Sequence, residues 1–395
     1  MDILLVHNRY QQPGGEDAVV EAEAALLSSR GHRVIRYERH NDELAQASLA
    51  NRLWFALGTT WSRETYRDLQ KLIRDERPDV AHFHNTFPLI SPAAYHACNA
   101  LNVPVVQTVH NYRLLCPAAT LMREQRPCEA CVGRLPWPGV VHGCYRDSRA
   151  QTLVAATALS AHRALGTYDR HVQHYLALTN FVRSVLVRGG LPAHRIGVKP
   201  NFIADAPPFA EARGAYALYV GRLVPEKGVL LLLEAWQRRP GLPLHIVGDG
   251  PLRAEVEARA RCLGNVHVLG RLGRAEVFAQ LRDARMLVFP SLWYEGLGNT
   301  ILEAFAAGVP VIASDLGAPL EVLEGGRLGT LFRSGDPESL FAALTCALDS
   351  TPQLRDKART ARAVFDARYT PAAGYDALMD AYQKAAAQLA LDRRA

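Results

Sequence analysis

The chain has 395 residues, of which 49% are hydrophobic and 21% charged, and its formal charge at pH 7 is +6. This is the composition of an ordinary globular protein, and the length favours two domains of roughly 150–200 residues, each able to bury a core without disulfides or metal. The mild positive charge suits an anionic substrate or a membrane surface, but no basic run is long enough to indicate a nucleic-acid partner.

The N-terminal segment MDILLVHNRY has no basic residue ahead of its apolar stretch, which ends at His7. We interpret it as a first β-strand and not as a signal peptide. No run of about 18 apolar residues follows, so we expect no membrane-spanning helix. Seven cysteines without an export signal favour reduced thiols or a metal site over disulfides. We therefore expect a cytoplasmic protein, with a peripheral contact at the inner membrane face as an open alternative.

Short apolar runs alternate with amphipathic helical patterns along the chain. In the first half we predict strands at 2–7, 34–37, 80–83 and 103–110, with helices at 17–29, 64–75 and 92–101. In the second half we predict strands at 217–220, 244–247, 266–269, 286–289 and 309–313, each followed by a helix. Repeated strand–helix units predict parallel sheets with helices on both faces, and two series of them predict two Rossmann-like α/β domains.

The boundary between the two series is predicted at Lys199-Pro200-Asn201, which continues into a Pro- and Ala-rich stretch at 204–214. The first domain then spans residues 1–200 and the second spans 201–371, followed by a last helical segment at 372–395. Ligands of such sheets bind outside the carboxyl ends of the strands, and a large substrate of two such domains is expected in a cleft between them.

A loop with two glycines and two flanking carboxylates follows the strand at 286–289. The loop SLWYEGLGN contains Gly296 and Gly298, which let backbone amides approach a ligand closely, and it leads into a helix at 300–307. These amides and the helix N-terminus form a site for phosphate oxygens. Glu295 and Glu303 flank the start of the helix with seven residues between them.

A second loop, VGRLVPEKG at 220–228, directly follows a strand and places Arg222 and Lys227 five residues apart. Together, EGLGNTILEAFAAGVPVIAS and GRLVPEKG resemble the signatures of glycosyltransferase family 4, whose members are retaining enzymes with the GT-B fold. The resemblance implies an acceptor-binding domain at 1–200, a nucleotide-sugar-binding domain at 201–371 and a C-terminal helix at 372–395 that returns to the first domain. The two domains of that fold face a cleft.

The resemblance also implies a role for each residue of the two loops. Glu295 is expected to contact hydroxyls of the donor sugar, and Glu303 to accept hydrogen bonds from the nucleotide ribose. Arg222 and Lys227 would neutralise charge on the leaving diphosphate in place of a metal ion. The backbone contacts with the donor are expected from Gly221, Gly248, Gly296, Leu297, Gly298 and Asn299. In the first domain, Gly15 of the Gly14-Gly15 pair would lie near the donor, and His110, at a strand end, would contact the sugar near the reacting carbon. His84-Asn85 could help to shape the acceptor site.

The function that the resemblance implies is the transfer of a hexosyl group from a nucleotide-diphosphate sugar to a glycan or a polyprenyl-linked sugar, as in cell-surface polysaccharide synthesis. No cofactor beyond the nucleotide sugar would be required. A glycosidase needs two carboxylates facing one bond, and no Asp or Glu of the first half is identified as the second one. An epimerase or phosphorylase of the same fold, and a non-catalytic nucleotide-sugar-binding protein, are the alternatives.

Four cysteines lie in a Pro- and Gly-containing insertion at about 112–148. They have the spacing C-x11-C-x2-C-x12-C and are Cys116, Cys128, Cys131 and Cys144. Four thiolates with one C-x2-C pair fit a structural zinc site, in which His142 could replace one thiolate. Unligated thiols and a redox role are the alternatives.

Aromatic and basic residues are mixed over residues 52–74. Leu53-Trp54-Phe55 and Trp61 are interspersed with basic residues at Arg52, Arg63, Arg67, Lys71 and Arg74. This pattern indicates either interfacial binding to an anionic membrane or an ordinary amphipathic helix that faces the core.

Overall fold

The computed structural model describes residues 1–11, 14–45, 57–209, 214–238 and 242–394. The chain forms two compact units. The first comprises Met1–Leu121, Glu129–Pro200 and Gly374–Ala395, and the second comprises Met122–Cys128 and Asn201–Ala373. The change of unit at Pro200 coincides with the predicted boundary. The short segment Met122–Cys128 differs from the prediction, because it groups with the second unit although it belongs to the insertion.

The bounds of the elements are as follows. The strands are β1 (Asp2–Arg9), β2 (Arg33–His40), β3 (Val80–Phe83), β4 (Val105–Val109), β5 (Met122–Arg123), β6 (Arg126–Pro127), β7 (His174–Ala177), β8 (Ile196–Val198), β9 (Tyr216–Val220), β10 (Leu244–Val247), β11 (Val266–Gly270), β12 (Ala284–Phe289), β13 (Val311–Ser314) and β14 (Thr330–Phe332). The helices are α1 (Gly15–Ser29), α2 (Asp42–Ala45), α3 (Arg63–Glu76), α4 (Ala93–Ala100), α5 (Trp137–His142), α6 (Arg149–Ala164), α7 (Thr167–Arg170), α8 (Asn180–Arg188), α9 (Val229–Trp236), α10 (Arg253–Leu263), α11 (Arg274–Asp283), α12 (Asn299–Ala307), α13 (Ala318–Val322), α14 (Pro337–Asp349), α15 (Thr351–Arg368) and α16 (Pro371–Asp392).

The first unit is built on a six-stranded sheet with the order β2-β1-β3-β4-β7-β8, and all of its strand pairs are parallel. β1 lies between β2 and β3, so that Leu5 pairs with Arg36 on one side and with His82 on the other. The strand order reverses at β1 and β3, which makes their carboxyl ends the expected ligand-binding edge. His84 and His110 directly follow β3 and β4 at this edge, and His7 lies in the last part of β1.

The second unit has a six-stranded parallel sheet with the order β11-β10-β9-β12-β13-β14. The order reverses between β9 and β12, the two strands that precede the loops with the predicted donor residues. Because these strands are parallel neighbours, both loops leave the same edge of the sheet, at its switch point. The prediction of two Rossmann-like α/β domains is confirmed.

The C-terminal helix α16 belongs to the first unit from Gly374 onward. Its apolar face packs in one core cluster with side chains of the first sheet and of α1. The side chains that α16 contributes are Leu378, Ala381, Tyr382 and Ala385. The Tyr382 hydroxyl also lies 2.9 Å from Nδ1 of His82, so the helix is held by a buried polar contact as well as by apolar burial. The expected return of the last helix to the first domain is therefore confirmed.

Within the described residues, no helix combines the length and the apolar character needed to cross a bilayer.

Candidate active site

The loop after β12 brings a carboxylate and a cation together. Glu295 is only 4% exposed, and its Oε1 accepts hydrogen bonds from Lys227 Nζ and from Ser291 Oγ, both at 2.7 Å. The Lys227 ammonium also lies 5.4 Å from the centre of the Trp293 ring, within cation–π range. The structure thus joins two of the predicted site residues, which are 68 positions apart in the chain. It adds Ser291 and Trp293, which the sequence analysis did not identify.

Lys227 reaches this position because the chain makes a tight turn at Gly228. Pro225–Lys227 form a short 3-10 helix, and Gly228 follows with a φ of 70°. A Cβ on Gly228 would lie 1.8 Å from the carbonyl oxygen of Pro290, so that no other residue fits without moving one of the two loops. Next to this contact, Leu292 N donates a hydrogen bond of 2.9 Å to Glu226 O. The two loops are therefore held together through their backbones.

The loop after β10 packs against the same structure. Gly248 has a φ of 148°, and a Cβ there would lie 1.9 Å from the carbonyl oxygen of Gly221. Gly250 approaches Leu223 in the same way. Gly248 is thus explained by close backbone packing at the sheet edge, whereas a Cβ on Gly221 would lie 3.0 Å from the Tyr219 hydroxyl. The donor contacts predicted for both glycines stay a prediction.

The helix that follows Glu295 begins without a side-chain cap. Its N-cap is Gly298, which has a φ of 88° and no side chain with which to accept a hydrogen bond. The N–H groups of a helical first turn carry partial positive charge and bind anions well. Gly296, Leu297 and Asn299 lie in this turn or just before it, and the Asn299 side-chain oxygen accepts a hydrogen bond of 2.8 Å from Asn201.

The two other charged donor-site candidates of the second unit are Arg222 and Glu303. The Arg222 side chain is 70% exposed, and its Nη2 lies 3.5 Å from Glu226 Oε1. Glu303 is partly buried on α12, and this burial raises its pKa to about 7, although the charge of Arg274 acts in the opposite direction. Within the second unit, Lys227 and Glu295 are thus the two charged candidates that a direct hydrogen bond joins.

In the first unit, His110 follows β4 and pairs with His84, since His84 Nδ1 and His110 Nε2 are 2.9 Å apart. Burial holds the pKa of both imidazoles well below the usual value, with neighbouring positive groups adding to the effect. Both rings are therefore neutral near pH 7.

The glycine pair at the start of α1 lies beside three acidic or histidine side chains. Gly14 N donates to Asp17 Oδ2 at 2.8 Å, and Asp17 Oδ1 lies 2.9 Å from His7 Nε2. Gly15 is the first residue of the helix. Next to it, Glu16 accepts a hydrogen bond from the Tyr10 hydroxyl, and burial raises the pKa of this carboxyl to about 7. Glu16 is a second carboxyl at a ligand-binding edge that the sequence analysis did not identify, because nothing in its spacing distinguishes it from a helix-start glutamate.

The geometry does not support the predicted zinc site. In the part of the chain that the structure describes, three potential metal ligands come within 4.8 Å of one another at Glu23, His82 and His84, and no cysteine belongs to that group. Cys128 also falls in the second unit, whereas the other three cysteines of the insertion fall in the first. The spacing of these thiols in the sequence is therefore not matched by a tetrahedral cluster.

The segment predicted as either membrane-binding or core-facing is described only from residue 57, so Arg52 and Leu53-Trp54-Phe55 lie outside the described residues. Helix α3 buries Leu69 and Ile73, while its basic side chains are mostly exposed. The ring of Trp61 packs against that of His96, with the ring centres 5.0 Å apart. The buried apolar residues of α3 thus face the core, and the membrane contact predicted for this segment stays a prediction.

Two family models match the chain side by side. The model described as Glycosyltransferase Family 4 matches residues 13–206, and the model described as Glycosyl transferases group 1 matches residues 214–350. The chain belongs to glycosyltransferase family 4. The resemblance seen in the two loop motifs is confirmed, and the matched ranges follow the two units of the fold.

Relatives of known name are similar over different shares of this glycosyltransferase. The glycogen synthase of Mycobacterium tuberculosis is 29% identical over 320 residues, which are 78% of this chain and 69% of that protein. A phosphatidyl-myo-inositol mannosyltransferase of Mycobacterium leprae is 34% identical over 165 residues, or 38% of this chain and 42% of that protein. The crystal structure of Anabaena HepE in complex with UDP has a TM-score of 0.69 at 17% identity and covers 96% of this chain and 99% of its own. This last likeness establishes the shared fold.

Proposed function

We propose that this family 4 enzyme transfers a hexosyl group from a nucleotide-diphosphate sugar to a glycan or a lipid-linked sugar, with retention of configuration at the anomeric carbon. The observation that carries the proposal is the partly buried Lys227–Glu295 pair at the switch point of the second sheet, next to a helix N-terminus without a side-chain cap. Cation, carboxylate and backbone donors are the groups that a sugar diphosphate requires. The UDP in the HepE complex is consistent with such a donor.

In the proposed reaction, Lys227 neutralises the diphosphate as it leaves. An ammonium has three N–H donors, and one of them is directed at Glu295, which leaves two for phosphate oxygens. Arg222 is exposed on the same loop and would supply a second cation. The N–H groups of the first turn of α12 would bind the remaining phosphate oxygens. No metal ion is required, because these fixed charges stabilise the leaving group themselves.

The proposed chemistry balances without a protein nucleophile. The bond between the anomeric carbon and the phosphate oxygen breaks, and the acceptor oxygen bonds to the same face of that carbon. The proton of the acceptor hydroxyl passes to the leaving phosphate oxygen. Glu295 holds hydroxyls of the sugar and Glu303 the ribose, while His110 contacts the sugar from the first unit.

The proposal is tested first by binding and then by transfer. A thermal-shift screen of GDP, UDP and ADP, each with and without its sugar, is expected to give one base that raises the melting temperature. With that donor, Glu295→Gln and Lys227→Ala should each lower transfer at least a hundredfold, whereas Glu255→Gln, an exposed change on α10, should not. NMR of the product should show the anomeric configuration of the donor. Near-normal transfer by Glu295→Gln, or inversion in the product, would refute this assignment.

We also propose that the enzyme contacts an anionic membrane through its insertion. Trp137 and Val141 lie one helical turn apart on α5 and are 63% and 46% exposed, and Leu135 just before them is also exposed. Arg134, Arg146 and Arg149 are exposed around the same helix. Apolar and aromatic side chains flanked by arginines are typical of an interfacial contact, and a lipid acceptor fits the name of the mannosyltransferase relative.

Co-sedimentation with vesicles tests this contact. Vesicles that contain anionic lipid should bind the enzyme, and Trp137→Ser with Val141→Ser should abolish most of that binding. Leu391→Ser is the matched control, because Leu391 is equally exposed but lies on α16. Equal binding by the double variant and the control would rule out the insertion as the contact.

The zinc site stays a proposal that rests on cysteine spacing alone. About one equivalent of zinc after dialysis, lost in Cys128→Ser, would support it. Metal-free protein with full transfer activity would refute the proposed zinc site.

A further inference from the structure

A buried ion pair lies beneath the ligand-binding edge of the first sheet. Lys199 Nζ contacts Glu23 Oε1, and the two side chains are 1% and 0% exposed. An ion pair removed from water in this way contributes little net stability, because desolvation offsets the attraction. Its position next to the histidines at the edge of the sheet is therefore of interest.

The second oxygen of Glu23 faces two histidines, of which only one is available to it. Glu23 Oε2 lies 3.8 Å from His82 Nδ1 and 3.6 Å from His84 Nε2. Both nitrogens of His82 are already bonded, one to the Tyr382 hydroxyl at 2.9 Å and the other to Thr108 Oγ1 at 2.8 Å. Glu23 Oε2 and His84 Nε2, by contrast, have no hydrogen-bond partner within the described chain. A movement of about half an ångström would join them.

This arrangement favours a proton network over a metal site, although Glu23, His82 and His84 lie within metal-ligand spacing of one another. A metal ion would need a free nitrogen on each ring, and His82 has none. The Lys199 ammonium already provides the positive charge next to the Glu23 carboxylate.

The positions of the protons follow from the partners. A neutral imidazole carries one N–H, and the Glu23 carboxylate can only accept. His84 must then carry its proton on Nε2, where it donates to Glu23, and its Nδ1 becomes an acceptor. The group 2.9 Å from that Nδ1 is His110 Nε2, which must therefore be the donor. Burial keeps both rings neutral, so the Nδ1 of His110 is left as a lone pair.

We propose that Glu23 and His84 are positioning residues that fix His110 in its Nε2–H tautomer, so that its Nδ1 accepts a hydrogen bond from a hydroxyl of the donor sugar. The hydroxyl as the group contacted rests on the function proposed above, whereas the tautomer does not. In this form His110 can accept a hydroxyl proton but cannot donate one to an oxygen. The contact thus selects for a hydroxyl group at that position of the sugar.

The decisive measurement is the ring-nitrogen spectrum of the full-length protein labelled with 15N-histidine, assigned by comparison with His110→Gln. The wild type should show His110 protonated at Nε2. In Glu23→Gln, Lys199 is expected to hold the amide oxygen, which turns the amide N–H groups toward His84. His84 would then accept at Nε2 and donate from Nδ1, and His110 should switch to the Nδ1–H tautomer. Glu21→Gln, a change of a half-exposed carboxylate on the same helix that pairs with arginines and not with a histidine, should leave the spectrum unchanged.

A second variant covers the case in which Glu23→Gln does not fold. His84→Ala removes the partner of His110 and should give a mixture of its two tautomers. A folded Glu23→Gln in which His110 keeps Nε2–H, or an unchanged His110 spectrum in His84→Ala, would overturn the proposal. A loss of general packing would not invert a tautomer, so a merely structural role cannot produce the expected result.

Kinetics separates this proposal from the transferase function. Glu23→Gln should lower kcat/KM for the donor roughly tenfold, since one acceptor becomes a donor, while the affinity for the nucleotide diphosphate without its sugar should not change. If the tautomers behave as expected but no variant or wild type transfers sugar, the transferase function fails and the tautomer assignment stands. If transfer depends on Glu295 but the tautomer of His110 is the same in the wild type and in Glu23→Gln, only the positioning role is refuted.

Discussion

Two glycines with nearly the same positive φ make a sharp test of the donor loops. Gly228 and Gly264 have φ values of 70° and 71°. A Cβ on Gly264 would meet nothing within 4 Å, whereas one on Gly228 would lie 1.8 Å from the Pro290 carbonyl oxygen. Alanine at either position is therefore strained by a positive φ, at a cost of about 1–2 kcal/mol, and only at Gly228 must a backbone also move.

The expected results differ in kind as well as in size. Gly264→Ala should lower the melting temperature by a few degrees, given roughly 2–4 °C per kcal/mol for a domain of this size, and should leave donor affinity unchanged. Gly228→Ala should lower it further and should also weaken donor binding at least tenfold, because the loops that carry Lys227 and Glu295 can no longer pack together.

Both effects are measured on purified protein, by calorimetry and by titration of the donor found in the thermal-shift screen. If the two variants lose the same stability and bind the donor equally well, then the contact between the backbones at Gly228 and Pro290 is not what holds the site. A Gly228→Ala variant that is less stable but binds normally would limit the contact to a structural role.

Three further predictions concern titration and packing. Burial lowers the pKa of His82 from 6.5 to about 4, so the unfolded chain binds protons that the folded chain excludes. The stability of the first unit should therefore be full above about pH 6.5 and should fall by about 3 kcal/mol from this residue alone as the pH approaches 4. Chemical denaturation measures this pH dependence, and His82→Asn should flatten it. Burial raises the pKa of Glu303 to about 7, so protonation should remove its acceptor oxygen, and the affinity for nucleotide should fall as the pH drops through 7. Glu303→Gln should bind nucleotide weakly at all pH values. A wild-type affinity that does not change with pH would contradict the ribose contact. Tyr382→Ala should lower the free energy of unfolding by about 3–5 kcal/mol, because it leaves a cavity in the core. Tyr382→Phe should lower it by about 1 kcal/mol, because it removes only the hydrogen bond to His82. Equal losses would show that the ring does not anchor α16.

The sequence predicts much of the fold because the central strands are continuous apolar runs. β3 and β10 have the predicted bounds, and α1, α3 and α4 differ from them by two residues or fewer. β7, β8 and β14 were missed. They are three or four residues long, and β8 and β14 lie at sheet edges, so that pairing with a neighbouring strand and not a local pattern decides their conformation.

The candidate site was predictable where its residues lie within one motif and not where they meet across the fold. Glu295 and Lys227 follow from the two loop motifs, but their direct bond and the Ser291 hydroxyl that shares Glu295 depend on the folded backbone. The link from Lys199 through Glu23 to His84 joins three distant segments of the chain, and no spacing rule connects them. For the cysteines, the spacing in the sequence is all that supports the zinc site, which therefore stays a proposal.

The close approach of backbones at Gly228 and Gly248 has a consequence for engineering this enzyme. The proposed phosphate-binding site is held by main-chain contacts, which do not depend on the identity of the neighbouring side chains. Trp293 and Tyr294 directly precede Glu295, and the atoms nearest to a Cβ at Gly228 or Gly248 belong to Pro290 and Gly221 and not to these two residues. A library that randomises these two positions and keeps the glycines should therefore change the choice of sugar far more readily than the ability to bind a nucleotide diphosphate.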